Sequence, residues 1–215
     1  MKRLLQRLPF LKFLAPVMGG DLVEPVGLRG DLLVESSIGG RRTVVYNGHN
    51  FIVDLGKTSV RDLLLGSSGG GFSGSIFRMA VGDGGTPPDE LFNPKTPDSS
   101  WPARTGLFHE VIRQDVSSFS APSASSARFV GSFQSTDVDL TSFSLAERVI
   151  NEAALIIGDG VLTVGDDKKQ INKVPPDTVD IDEKMMSMRT FRSSPFDPAL
   201  SVSISITWTI TVVTS

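Results

Sequence analysis

Residues 201–213 read SVSISITWTITVV, and this stretch decides the fold class. Its apolar side chains alternate strictly with serine and threonine; they are Val202, Ile204, Ile206, Trp208, Ile210 and Val212. A period of two places them on one face of an extended strand, whereas a helix would scatter them around its circumference. The stretch therefore predicts a long β-strand with one buried and one polar face. Because the polar face carries no charge to protect an exposed edge, we expect this strand to pair on both sides or to be covered by a neighbouring subunit.

Several segments upstream also have the pattern of strands. The clearest is 127–135, where Phe129, Gly131 and Phe133 share one face. The other candidates are one or two strands within 21–46, then 75–81, an apolar rhythm at 107–116, and 137–143, 150–157, 161–164 and 185–191. Residues 117–126 are rich in Ser, Pro and Ala and resemble a spacer. No helix of crossover length separates the later candidates, so the pattern predicts a mainly β fold, an antiparallel sandwich or barrel-like sheet.

One segment has helical periodicity. Its apolar residues fall roughly on one face of a helix; they are Ile52, Leu55, Val60, Leu63 and Leu64. Asn50 can cap the start and Gly66 can end the segment. The spacing predicts one short helix near residues 50–65.

The composition limits the classes of protein to consider. The chain has 215 residues, of which 40% are hydrophobic, which is enough to bury a sizeable core. Its 21 basic and 24 acidic residues give a net charge of −3, which disfavours a protein whose main task is to coat nucleic acid. It contains no cysteine, so disulfides, thiolate metal sites and thiol nucleophiles are excluded. No stretch has the roughly 20 apolar residues of a membrane span.

The first 20 residues form a distinct basic segment. They carry Lys2, Arg3, Arg7 and Lys12 without any acidic residue, together with leucines at helical spacing and Phe13. Pro9 and the interior charges argue against a signal peptide. We expect an N-terminal arm that packs on its own domain or a sister subunit, or docks into a different protein; a membrane surface is a weaker alternative. The predicted division is 1–46, the arm and short strands, and 47–215, a β-rich domain.

Two glycine-rich motifs are similar to catalytic or phosphate-binding loops. Residues 66–70 match the G-x-S-x-G string of a hydrolase nucleophile elbow, but a helical pattern precedes them and a Gly/Ser stretch follows, the reverse of the required strand and helix. Residues 82–85 (GDGG) follow a strand as a phosphate loop would. They lack the Lys-Ser/Thr of that loop, and Pro87-Pro88 forbids the helix that would hold the phosphate. We interpret both motifs as turns or loops.

The titratable residues do not form a recognisable site in the sequence. His49 and His109 are the only histidines, and neither lies at the spacing of a metal ligand pair. Aspartate-rich turns near 159, 166–167 and 180–182 lack the ligand order of a calcium loop. We therefore expect no catalytic residue, no cofactor and no dedicated metal site.

A series of motifs occurs in an order met in tailed-phage structural proteins. The motifs are Asn50 to Leu65, Met79-Ala80-Val81-Gly82-Asp83-Gly84 with Thr86-Pro87, Glu110 with Arg113, Ile150-Asn151-Glu152-Ala153-Ala154-Leu155, Met188-Arg189-Thr190-Phe191 and Trp208-Thr209-Ile210-Thr211. Through them, residues 47–213 resemble virion proteins of the tail-collar fibre type. Two departures are Ala154, where the pattern usually has glycine, and the absence of a repetitive fibre shaft.

The resemblance implies a non-enzymatic virion subunit, assembled in the host cytoplasm, in the tail, collar or neck, or baseplate, or as a fibre-anchoring adaptor. Such a subunit forms symmetric oligomers with copies of itself and contacts other virion proteins, without a direct role on nucleic acid. One alternative is a capsid decoration or cement protein. A second is a cell-surface or carbohydrate-binding module, which needs exposed aromatics at loop tips; Phe72, Phe92 and Trp101 are the candidates. Trp101 is equally a candidate anchor against a neighbouring subunit.

Overall fold

The chain folds into two antiparallel β-sheets and one α-helix in a computed structural model that describes residues 26–65, 75–158, 168–178 and 183–214. The strands are β1 (Val26–Ile38), β2 (Arg41–His49), β3 (Phe51–Ile52), β4 (Ser75–Gly82), β5 (Glu110–Asp115), β6 (Ser118–Ser123), β7 (Ser126–Gln134), β8 (Val149–Gly158), β9 (Lys168–Lys169), β10 (Lys184–Pro195) and β11 (Ser203–Thr214). The predicted mainly β, antiparallel, sandwich-like fold with one helix is confirmed. Within the described residues neither sheet closes into a barrel.

The first sheet has five strands in the order β2-β1-β11-β7-β6, so the C-terminal strand lies at its centre. Strand β11 pairs antiparallel with β1 from Ser203 to Thr214 and with β7 from Ser203 to Thr211. Its apolar residues from 202 to 210 are buried, while the intervening serines and threonines are half-buried. The predicted strand is therefore confirmed, and it pairs on both sides.

The β1–β2 hairpin turns on Gly39 and Gly40. Both residues have positive φ angles, 56° and 81°, and Ile38 pairs directly with Arg41 across them. A two-residue turn with two positive φ angles matches the twist of the adjoining strands and favours glycine. One or two strands were expected within 21–46, and the structure has two, β1 and β2; β2 runs across the boundary drawn after residue 46.

The second sheet has six strands in the order β3-β10-β8-β4-β5-β9, and both of its faces are covered. One face packs against the first sheet and forms the larger core. That core includes Leu32, Val34, Phe133, Ile206 and Trp208 from the first sheet and Met79, Val81, Ile112, Leu155 and Phe191 from the second. Burial on both faces explains why every residue of β5 and β8 is buried.

The opposite face of the second sheet carries a smaller core. It contains Val53, Ala80, Trp101, Ala154, Ile156, Met185 and Met188. Helix α1 (Asp54–Leu65) and the loop between β4 and β5 cover it. A Cβ atom at Gly56 would collide with the main chain of Met186, so this glycine lets the helix lie close to β10. Among the described residues no helix is long and apolar enough to cross a membrane.

The helix begins at Asp54, four residues after the predicted start at Asn50. Residues 51 and 52 form strand β3, which pairs with β10 and supplies Phe51 to the smaller core. Asn50 is therefore not a helix cap. With its amide oriented to suit its neighbours, it donates to the carbonyl of Gly30 and accepts from the indole N–H of Trp208 and the hydroxyl of Ser187. It thus links the two sheets.

Two further predictions are wrong. Residues 137–143 form no strand; the chain makes short 3-10 helices at Ser135–Asp137 and Leu140–Ser142, and Asp139 caps the second by accepting from the backbone N–H and hydroxyl of Thr141. Residues 117–126 are more than a spacer, because 118–123 form the edge strand β6. All of its side chains are exposed, so the strand is stabilised by backbone hydrogen bonds to β7. For the same reason its sequence has no alternation of apolar residues.

Candidate functional site

A group of polar side chains linked by hydrogen bonds, three of them fully buried, lies where β4 ends and β8 begins. We call it the turn cluster and define it as Asp83, His109, Ser144, Asn151 and Glu152. Asp83 belongs to the GDGG turn, His109 immediately precedes β5, and Asn151 and Glu152 lie in β8. Strand pairing of β4 with both β5 and β8 brings these residues together.

Asp83 is the fully buried centre of the turn cluster. One carboxylate oxygen, Oδ2, accepts from the backbone N–H groups of Ser144 and Leu145 at 2.7 and 3.0 Å. The other, Oδ1, contacts Nδ1 of His109 at 2.6 Å and accepts from the hydroxyl of Ser144 at 2.8 Å. Four partners satisfy the carboxylate and offset the cost of removing it from water.

Asn151 holds the other side of the same turn. Its side-chain oxygen accepts from the backbone N–H of Gly85 at 2.6 Å, and its amide donates to the carbonyl of Asp83 at 3.1 Å and to the hydroxyl of Thr86 at 2.8 Å. A Cβ atom at Gly85 would collide with the backbone carbonyl of Asn151. The glycine is therefore required for the turn to approach β8 this closely.

Glu152 is a buried carboxylate that receives backbone N–H groups. It accepts from Gly84 at 3.2 Å, from Phe108 at 2.9 Å and from His109 at 2.8 Å. Burial raises the pKa of Glu152 to about 7, and the three N–H groups oppose that shift because they stabilise the charged form. The side chain therefore joins the GDGG turn to the segment that enters β5.

The turn cluster contains a serine, a histidine and an aspartate, but not in the order of a nucleophile. In a serine hydrolase the imidazole lies between the hydroxyl and the carboxylate, so that it can accept the hydroxyl proton. Here Ser144 and His109 both contact Oδ1 of Asp83, so the carboxylate receives both groups. This geometry orients the backbone and does not activate Ser144.

The arrangement fixes the long loop between β4 and β5. Lys95 donates to the carbonyl of Gly84 at 2.6 Å, and its ammonium lies 4.0 Å from the centre of the Phe108 ring. The guanidinium of Arg104 packs on the same ring at 3.7 Å. Both ends of the loop are thus tied to the turn cluster, and a segment without regular strands is held against the sheet.

Trp101 lies in this loop and is buried within the chain. Only 1% of it is exposed, and its ring packs edge-on against Phe51 and Phe108 at centroid distances of 5.8 and 6.0 Å. The expectation that Trp101 is an exposed tip or an anchor for a neighbouring subunit is corrected: the ring completes the smaller core. Of the other aromatic candidates, Phe92 is 81% exposed and Phe72 lies outside the described residues.

A second polar group, here called the ion network, runs along β5 from Glu110 to Asp115 and includes Arg78 of β4. Its members are Arg78, Glu110, Arg113, Asp115 and Glu183, and each is at least nine-tenths buried as a side chain. Arg78 pairs with Asp115 at 2.9 Å and with Glu183. Arg113 makes a bidentate pair with Glu110 at 2.6 and 2.9 Å and donates to Glu183 at 2.6 Å.

The ion network keeps both arginines charged inside the protein. Burial lowers the pKa of Arg113, but the hydrogen bonds and negative charges of Glu110 and Glu183 outweigh burial, so the pKa is raised above its ordinary value. The pKa of Arg78 is raised in the same way by Asp115 and Glu183. Glu183 accepts from both arginines and is therefore the residue that joins the two pairs.

Of the remaining residues considered as sites, most lie outside the described residues and His49 lies on the surface of the first sheet. The proposed interface residues of the arm, which are Lys2, Arg3, Arg7, Lys12 and Phe13, lie outside the described residues, as does the GSSGG motif at 66–70. His49 is exposed and contacts Asp31 at 2.6 Å on the surface of the first sheet. Within the described part of the chain, no cluster of three or more His, Asp or Glu side chains has the geometry of a metal site.

Reasoning from the sequence missed the roles of Asn151, Glu152 and Glu183. The first two lie in a run that reads as a buried strand, and nothing in the spacing pairs them with a turn about 70 residues earlier. The one available signal was the resemblance, since its motifs include both the turn and the Asn-Glu pair. Glu183 lies in no motif.

Comparisons of the chain with models of protein families, with curated protein sequences and with solved structures give no match.

Proposed function

We propose that this chain is a non-enzymatic structural subunit of a tailed-phage virion, in the tail, collar or neck, or baseplate, or as a fibre-anchoring adaptor. One observation carries the proposal. Four of the six motifs of the resemblance occupy four neighbouring strands of the second sheet, β10, β8, β4 and β5. Their polar residues also contact one another, since Asn151 and Glu152 of one motif bind the GDGG turn of another. The likeness thus involves residues that stabilise the fold, which supports a shared architecture.

The use of the buried polar groups supports a structural role. In the turn cluster, hydrogen bonds of Asp83, Asn151 and Glu152 go mainly to backbone atoms and fix the loop between β4 and β5. In the ion network, each charged side chain is held by a partner. Buried polar groups that all have partners make the core of a protein rigid and specific, and a subunit of a symmetric assembly requires such a core.

The two alternatives remain proposals of lower rank. A capsid decoration protein would use the same fold, and the preference for the tail, collar or baseplate rests on the resemblance. A carbohydrate-binding module loses Trp101 as a candidate, because that ring is buried, and keeps Phe92.

The experiment that tests the proposal is the mass and symmetry of the full-length chain in solution. Light scattering combined with negative-stain electron microscopy should give a closed oligomer with rotational symmetry. Its copy number would separate a ring-shaped tail or collar subunit from a decoration protein. A chain that stays monomeric at every concentration contradicts the proposal.

Deletion of residues 1–20 tests the part assigned to the arm. We expect a folded monomer with an unchanged circular dichroism spectrum that no longer assembles. The control keeps the length of the arm and replaces Lys2, Arg3, Arg7 and Lys12 with glutamine, so that loss of charge is separated from loss of the apolar segment. A deleted chain that still forms the full oligomer would exclude the arm as the assembly device.

A further inference from the structure

A cleft opens between the two sheets at the end of the sandwich that carries the β1–β2 hairpin. Its volume is about 340 Å³, and its walls include Ser36, Ile38, Arg41, Phe92, Arg192 and Pro195. These residues come from β1 and β2 of the first sheet, from the end of β10 in the second, and from the β4–β5 loop. No member of the turn cluster or of the ion network lines the cleft, and Ser193 of its lining accepts from the amide of Asn151 at 3.2 Å.

Two arginines give this cleft a positive charge. Arg41 and Arg192 are both exposed, and neither has a carboxylate partner among the residues that the structure describes. The contrast with Arg78 and Arg113 is sharp, since each of these is held by two carboxylates. In a chain with a net charge of −3, two unpaired guanidinium groups facing one opening favour an acidic ligand.

The wall of the cleft also holds an unsatisfied hydroxyl. Ser36 is only 6% exposed, and its Oγ atom has no hydrogen-bond partner among the described residues. A buried polar group without a partner costs free energy of about 1–3 kcal/mol, and such groups are uncommon in folded proteins. A ligand oxygen or amide entering the cleft would supply the missing partner.

The lining of the cleft also includes exposed apolar side chains. Phe92 is 81% exposed and Ile38 is 40% exposed, and both belong to its lining. An exposed aromatic side chain beside a positive charge is typical of a binding surface for a ligand that is both apolar and anionic.

One wall of the cleft is an edge strand. Strand β2 has β1 as its only strand partner in the described part of the chain, so its other side is an edge of the sheet there. A free edge accepts an additional extended segment, while a neighbouring pocket selects its side chains. Arg41, which lines the cleft, lies at the start of this strand.

We propose that the cleft and the β2 edge bind an extended acidic segment of another protein of the assembly. Its carboxylates would pair with Arg41 and Arg192, and an apolar side chain would lie against Phe92 and Ile38. This inference rests on the proposed function, because that function supplies the neighbouring protein. It names the chemistry by which the neighbour is recognised.

The test uses the full-length chain and a short synthetic peptide that alternates aspartate with isoleucine and is blocked at both ends. Binding is followed by the change in NMR signals or in fluorescence anisotropy of a labelled peptide. We expect Arg41→Gln and Arg192→Gln each to weaken binding by about tenfold, and added salt to weaken it as well. The same peptide with asparagine in place of aspartate should bind much more weakly.

The matched control is Arg42→Gln. Arg42 is exposed and adjacent to Arg41 in the same strand, but it pairs with Ser37 and so faces away from Ile38 and the cleft. Its replacement should leave peptide binding unchanged. An equal loss for Arg42→Gln, equal binding of the asparagine peptide, or no binding to the unmodified chain would each overturn the proposal.

Two other occupants give different results. Tighter binding of a short single-stranded oligonucleotide, lost in Arg41→Gln, would assign the cleft to nucleic acid. Self-association that Arg192→Gln abolishes, without any binding of the peptide, would assign it to a second copy of this chain. The peptide titration does not depend on assembly, so a chain that assembles but ignores the peptide removes this inference alone. A chain that binds the peptide but never assembles removes the proposed function alone.

Discussion

The two sheets of this protein differ in how many of their faces are buried. Within the described residues only one face of the first sheet is covered, by the second sheet. Its strands alternate between buried apolar and more exposed polar residues, as in β11 and β7. The second sheet is covered on both faces, by the first sheet on one side and by helix α1 and the β4–β5 loop on the other. Its central strands therefore contain no outward face on which polar residues can meet water.

The difference decides which interactions stabilise each sheet. In the first sheet, most polar side chains stay near solvent and burial of apolar area supplies the stability. In the second sheet, polar side chains such as Asn151 and Glu152 are fully buried and need partners inside the protein. A sheet covered on both faces therefore depends on internal hydrogen bonds and ion pairs to offset the burial of its polar groups.

The largest effect is expected from Trp208→Asp, which places a charge without a partner in the core between the sheets. Trp208 is fully buried, so the loss of stability should be comparable to the whole free energy of unfolding of a typical domain, which is about 5–15 kcal/mol. We expect no soluble folded protein. The control is Thr207→Asp, which puts the same charge on the half-buried polar face of the same strand; it should fold, with a lower melting temperature. An unchanged melting curve for Trp208→Asp would contradict the assignment of β11 to the core.

The second effect compares the loss of a buried carboxylate in the ion network of the second sheet with the loss of an exposed carboxylate on the first sheet. Glu183→Gln removes the charge that joins Arg78 to Arg113, and we expect the free energy of unfolding to fall by about 3 kcal/mol, because two buried cations lose a partner. Asp31→Asn is the control, since Asp31 also contacts two basic side chains, Arg29 and His49, but on the exposed surface of the first sheet. That change should cost less than about 1 kcal/mol. Urea unfolding measures both, and equal losses would show that burial of the network has no energetic weight.

The third effect is a pH dependence that Glu152 gives to the second sheet. Burial raises the pKa of Glu152 to about 7, from 4.5 in the unfolded chain. Between these values the folded protein keeps a proton that the unfolded chain has released, so the free energy of unfolding falls as pH rises through this window. Glu152→Gln should reduce that slope. Urea unfolding at about pH 5 and about pH 8 measures it, and an unaltered slope in the variant would assign the pH dependence to other groups.

The smallest effect is expected from Phe92→Ser. Because Phe92 is 81% exposed, its replacement should change the free energy of unfolding by less than about 0.5 kcal/mol. Phe108→Ser is the matched change within the same loop, and it should destabilise the protein by more, because Trp101, Lys95 and Arg104 all pack on that ring. Thermal melting separates the two. A large loss for Phe92→Ser would mean that this side chain serves the fold and not the surface.

The same comparison explains which parts of the fold were predictable. Strands β11 and β7 bury one face, so their period of two is visible in the sequence and both predictions were correct. Strand β6 has only exposed side chains, and residues 137–143 are shaped by the capping side chain of Asp139, so apolar periodicity misjudged both. The start of the helix was misplaced because Asn50 bonds across the sheets and not to the helix.

The candidate sites were less predictable than the fold. The GDGG motif was correctly interpreted as a turn, but its partners Asn151 and Glu152 lie far along the chain and meet it only through strand pairing. Trp101 lies between Ser100 and Pro102 in a polar stretch, a pattern typical of an exposed loop tip. In the structure its ring is part of the smaller core. Contacts between distant segments are a property of the topology, and local patterns do not contain them.

The pairing of β1 with β11 has a mechanical consequence. Val26 lies opposite Thr214, so the first and last described strands have their outer ends side by side, while the hairpin and the cleft lie at the far end of β1. Tension applied between residues 26 and 214 would peel the ladder apart one hydrogen bond at a time, which requires little force. Tension applied between residue 214 and the hairpin would instead load the β1–β11 ladder in shear, with its hydrogen bonds sharing the force. The protein pulled along the second direction therefore resists far greater force than when it is pulled along the first.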